Sequence, residues 1–63
     1  MSLMTAARRA PIGTRVSTGH KCPESGIWKV DSYIDSTTAP IAKGNIMPPY
    51  KGKAVTWILI AYA

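Results

Sequence analysis

His20 and Cys22 stand two residues apart in the stretch Gly19-His20-Lys21-Cys22-Pro23-Glu24-Ser25-Gly26-Ile27-Trp28, and each is the only residue of its kind in the chain. In an extended segment, side chains two apart project to one side. A Cys–His nucleophilic pair needs hydrogen-bond reach, a third group to orient the base and an oxyanion site. This loop offers no such orienting group, and Pro23 stiffens the backbone beside the thiol. Two further chemistries use the same residues. His20 and Cys22 from two chains would complete a Cys₂His₂ zinc set, and Cys22 alone would form an intermolecular disulfide. Against all three stands a plainer role, a small apolar plug under the loop. The expectation is a chain without catalytic residues, metal or cofactor.

The acids are no richer. Glu24, Asp31 and Asp35 are the only carboxylates. On an extended strand Asp31 and Asp35 would sit about 13 Å apart. Glycosidase-type catalysis asks for two converging carboxylates in unlike environments. Asp35 suits a turn better.

Binding is the stronger expectation. Tyr50, Lys51 and Lys53 lie close to Trp57 in sequence, and Trp28 belongs to the other half of the chain. Aromatic side chains beside cations suit an interface, where Trp and Tyr commonly dominate the energy. They also suit single-stranded nucleic acid, with Lys51, Lys53, Arg15 and the N-terminal arginines Arg8 and Arg9 on phosphate. No recognised nucleic-acid motif accompanies them. Lys and Arg outnumber Asp and Glu by 8 to 3. The cations are scattered rather than set in a stripe, which fits solubility better than a polyanion site.

These residues must be positioned by a very small fold. The chain has 63 residues. A domain of that size buries only about 60% of its unfolded surface, so its core is marginal. One cysteine excludes a disulfide framework within the chain. Self-association is the remaining source of stability, and a homodimer through residues 54–62 is expected. The composition is globular, 46% hydrophobic and 17% charged. Met1 to Arg9 lacks the apolar core of a secretory signal. The apolar run 54–63 is half the length of a membrane helix. A cytoplasmic protein is expected, with Ser2-Leu3 between two methionines reading as a cloning remnant.

Pro11 ends any helical start, so 1–12 reads as a flexible tail and 13–63 as one β domain. Short β-branched runs bounded by Gly and Pro predict strands over 14–18, 27–34, 37–43 and 53–62. Pro40 places the third at an edge or a bulge. In the second strand Trp28, Val30 and Ile34 share a face. In the last, Val55, Trp57, Leu59 and Ala61 share one, and both faces are largely apolar.

The first loop has an echo. Gly19-His20-Lys21-Cys22-Pro23 matches Gly44-Asn45-Ile46-Met47-Pro48, with Val16 matched to Ile41 upstream. Gly19, Cys22, Pro23, Gly26, Gly44, Met47 and Pro48 are therefore expected to be structural loop residues. Glycine turns the chain, Cys or Met plugs the loop, and proline stiffens it. Two strand–loop–strand units predict an all-β fold, a small antiparallel meander of about four strands completed by homodimerisation.

The spacing Gly19-x-x-Cys22-Pro23-x-x-Gly26-x-Trp28, then Gly44-x-x-Met47-Pro48-Pro49 and Trp57, resembles small bacterial β-modules, some linked to type VI secretion or polymorphic toxin systems. The resemblance implies a bacterial origin and a small β fold, and it carries no catalytic residue onto this chain. The expected function is a non-catalytic interaction or structural module, with Trp28, Tyr50 and Trp57 as anchors. A basic nucleic-acid-binding β-module is the alternative.

Overall fold

The computed structural model describes residues 9–63. Four strands run in chain order: β1 (Arg15–Ser17), β2 (Gly26–Val30), β3 (Thr38–Ile41) and β4 (Thr56–Tyr62). They form one antiparallel sheet, with no helix among the described residues. The all-β class is as expected. The path is not a meander, because the spatial order is β1-β4-β2-β3.

That order comes from how the two echoing units meet. Residues 9–31 hold β1, the first loop and β2; residues 35–63 hold β3, the second loop and β4. No two strands of the same unit pair. β1 pairs with β4 (Val16 opposite Trp57), β3 with β2 (Ala39 opposite Trp28), and β2 with β4 (Trp28 opposite Leu59). Exchanging the two units simply reverses the strand order, so the sheet has an approximate two-fold axis between β2 and β4.

The loops obey the same symmetry. Gly19 and Gly44 both take left-handed φ, 92° and 93°, which lets the chain turn out of its strand. The amide of Gly19 donates to the carbonyl of Met47 (3.0 Å), and that of Gly44 to the carbonyl of Cys22 (2.8 Å). The amide of Met47 donates to His20 (2.8 Å), and that of Cys22 to Asn45 (2.7 Å). Exchanging 19 with 44, 20 with 45 and 22 with 47, each pair 25 apart, turns one bond of each kind into the other. Lys21 and Ile46 face each other at the centre of this small ladder.

One face of the sheet is closed by the loops. Its core is Cys22, Trp28, Val30, Ile41, Met47, Trp57 and Leu59, all buried. The other face carries Arg15, Ile27, Lys29 and Ile58 and remains partly open.

Several expectations need correction. The second strand stops at Val30 rather than running to 34. The Ser32 hydroxyl accepts the amides of Ile34 (3.2 Å) and Asp35 (3.3 Å), a local turn that competes with the ladder. Ile34 is consequently 91% exposed instead of sharing the core with Trp28 and Val30. In β4 the alternation holds for Val55, Trp57 and Leu59, then shifts. A bulge lies opposite Ile27 and Trp28, so Tyr62 packs on the core while Ala61 is exposed. Pro40 does lie on an edge strand.

Residues 1–8 of the expected tail lie outside the described residues. Ala10 is held by both units: its amide donates to Glu24 Oε1 (3.0 Å), and its carbonyl accepts the Tyr62 hydroxyl (2.9 Å). β4 is interior: β1 pairs with it over Thr56–Ile58 and β2 over Trp57–Tyr62. β1 covers the first half of β4, and Ile60–Tyr62 have no ladder partner on that side among the described residues.

Candidate functional site

Both tryptophans are core residues, not surface anchors. Trp28 is 0% and Trp57 2% exposed. Each indole donates to a loop carbonyl: Trp28 Nε1 to Glu24 (3.1 Å) and Trp57 Nε1 to Pro48 (2.8 Å). Chain without phenylalanine builds its largest packing surfaces from them. They are not equivalent in register. Val16 faces Trp57, whereas its counterpart Ile41 faces Gly26. Gly26 holds a place where a Cβ would overlap the Ala61 carbonyl oxygen and lie 2.8 Å from Leu59 Cδ1.

His20 and Cys22 diverge. The His20 ring is exposed, with Nδ1 3.3 Å from the Ser17 carbonyl oxygen. The Cys22 thiol is buried and directed at the carbonyls of Glu24 (3.1 Å) and Ile41 (3.8 Å). The thiol behaves as the apolar plug, as does Met47 at 0% exposure. No group of three or more His, Cys, Asp or Glu side chains is placed to hold a metal among the described residues.

The second loop is longer than the first, and the excess folds into a turn over 50–53. The amide of Tyr50 donates to the carbonyl of Lys53 (2.9 Å), and that of Lys53 to Tyr50 (3.0 Å). Lys51 (φ 52°) and Gly52 (φ 74°) occupy its two central positions. Both are left-handed, the geometry of a type I′ turn. Glycine adopts it freely, but lysine does so at a cost.

Tyr50 braces this turn against the connection between the units. Its ring meets Trp57 edge-on, with centroids 6.5 Å apart. Its hydroxyl donates to Asp35 Oδ1 (3.1 Å) and lies 2.8 Å from Thr37 Oγ1. Lys51 Nζ sits 3.9 Å from Asp35 Oδ1 and 5.3 Å from the centre of the Tyr50 ring. Between the turn and the connection lies an open groove of about 520 Å³, lined by Val30, Ile34, Asp35, Tyr50, Lys53 and Val55 among others. It is the largest of three surface depressions described, the others being about 250 and 410 Å³.

The groove changes the reading of the acids. Asp31 and Asp35 both line it, because the chain turns after Val30 instead of extending. Each has a cation beside it: Arg15 Nε lies 3.2 Å from Asp31 Oδ2, and Lys51 pairs with Asp35. The Arg15 and Asp31 side chains are 62% and 43% exposed, so that pair contributes little to stability. Glu24 accepts the Ala10 amide. All three carboxylates are thus engaged structurally.

The structure brings together Tyr50, Lys51 and Lys53 and separates them from the buried Trp28. Gly19, Cys22, Gly44 and Met47 meet in the loop ladder, Pro23 precedes Glu24 beneath Trp28, and Pro48 accepts from Trp57. Asp35, Thr37 and Ile34 enter the site unexpectedly. Ser32, as a side chain able to cap the amides two and three residues on, was the available signal. No protein-family model, curated protein or solved structure matches the chain.

Proposed function

We propose that this chain is a non-catalytic, protein-binding module of a bacterium that holds a segment of a partner polypeptide in the groove beside the 50–53 turn. The supporting observation is Lys51. A lysine in left-handed conformation strains the turn at a position that glycine or asparagine would fill without strain. Lys51 and Lys53 both line a groove whose apolar walls include Val30, Ile34, Tyr50 and Val55. That pairing favours a partner segment with an apolar side chain next to an acidic one.

The test is affinity capture with the wild-type chain, Lys53→Glu and Ile34→Ser in parallel. A protein partner retained by the wild type and lost with both variants supports the reading. A partner held equally by all three overturns it. The nucleic-acid alternative is measured separately by binding to single-stranded DNA and RNA at rising salt. A steep loss of affinity with salt would favour it, because phosphate contacts release counterions.

A further inference from the structure

We infer that this chain forms an exchanged dimer, in which residues 9–31 of one copy pair with residues 35–63 of a second.

Every strand pair in the sheet joins the two units, as do the four hydrogen bonds between the glycine loops named above and the Tyr62–Ala10 contact. A second copy can therefore supply either unit without any of these interactions changing. Contacts that stay within a unit, such as Trp28 to Glu24, Trp57 to Pro48 and Arg15 to Asp31, are carried along intact.

The connection is anchored at both ends and free in the middle. The Asp31 amide donates to the Thr56 carbonyl (2.8 Å), and the Val30 amide to the Thr37 carbonyl (3.0 Å), both across the unit boundary. Asp35 and Thr37 are bonded to Tyr50, which belongs to their own unit. Among the described residues, opening 32–34 costs the bonds to the Ser32 hydroxyl and the part of the groove wall that Ile34 provides.

The same three residues carry the most exposed large apolar side chains described. Tyr33 is 108% and Ile34 91% exposed in the closed chain. When two chains exchange units, their two extended connections lie near the dyad, where Tyr33 and Ile34 of one copy cover those of the other. The occupant of this apolar tip is thus a second copy, and burial of this surface is what dimerisation gains over two closed monomers among the described residues. Because Ile34 leaves the groove wall on opening, exchange also remodels the groove. The inference rests on strand pairing and does not depend on the proposed function.

The test uses two full-length variants, Ser17→Cys and Thr56→Cys, at positions directly opposed in the β1–β4 pair. With both substitutions in one chain, the double variant closes its disulfide within the chain if the fold is a closed monomer and between two chains if the units are exchanged. The two single variants are mixed, unfolded, refolded together and oxidised. The expected result is a covalent species of twice the chain mass containing one chain of each kind, in excess over either homodimer. Sedimentation of the wild type should show dimer rising with concentration, and Tyr33→Ser/Ile34→Ser should shift it toward monomer. A monomer at every concentration overturns the inference. So does a dimer whose mixed disulfide does not exceed the homodimers, since that dimer would join through surfaces alone.

Discussion

Cys22 and Met47 are exchanged by the approximate two-fold axis: each lies buried under its own loop, and each carbonyl accepts the amide of the opposite loop's glycine. The pairing makes the plugs part of one core rather than two local devices. It also explains why a cysteine and a methionine can hold equivalent places. What the site demands is an apolar side chain that leaves the backbone free to bond across the dyad.

Met47→Ala should destabilise the chain by about 2–5 kcal/mol, the range for truncating a buried long side chain. Cys22→Ala removes one sulfur atom and should cost distinctly less. Urea unfolding checks both: the midpoint should fall, more for Met47→Ala, at unchanged slope.

The glycines should respond in different ways. Gly19 and Gly44 have open space where a Cβ would go, so alanine there meets only the left-handed backbone penalty, about 1–2 kcal/mol. Gly26 has an ordinary φ but no room, with Leu59 and Ala61 in the way. Gly26→Ala should be the most damaging of the three, because relieving it requires moving the β2–β4 pair. Thermal unfolding of the three variants gives the ranking.

Lys51→Asn should raise stability by up to about 1 kcal/mol, since asparagine tolerates the left-handed conformation at the first central position of this turn. The same substitution removes a groove ammonium and should weaken partner capture. A chain that became more stable while binding less would place the strain of Lys51 in the service of the groove.

Thr18 joins the second loop to the sheet. Its hydroxyl donates toward the carbonyls of Pro48 (3.0 Å) and Val55 (3.2 Å) and accepts the Val55 amide (2.9 Å). Thr18→Val keeps the shape and strips the hydroxyl, which should cost about 1–3 kcal/mol by leaving that amide without its partner. Thr18→Ser should retain the bonds and lose less. Amide hydrogen exchange at Val55, faster in Thr18→Val alone, would report the local cause.

The strand-forming runs and the loop echo were legible because both rest on residue type at fixed spacing: Gly19 with Gly44, Cys22 with Met47, Pro40 at an edge. The sheet order was not. Nothing local to Arg15–Ser17 says that its neighbour is β4 rather than β2, since that choice is made by loop-to-loop hydrogen bonds between residues 19–22 and 44–47. The burial of the tryptophans is not legible either, for a related reason. An indole in a short amphipathic strand looks the same at an interface and in a core, and only the covering loops decide. The groove is not legible in the sequence because it depends on Ser32 ending β2 early, which brings Asp35 to the Tyr50 hydroxyl.

The interlocked strand order has a consequence for how the chain is made. β1 and β2 leave each other unpaired, so a growing chain that has produced both still has no sheet, and Trp28 and Val30 stay uncovered. Val16 must wait for Trp57. Closure of so many distant pairs at once is slow compared with hairpin folding. Until β4 is synthesised the first unit remains an open template, and during that interval chaperones, proteases or the matching unit of a neighbouring nascent chain have access to it.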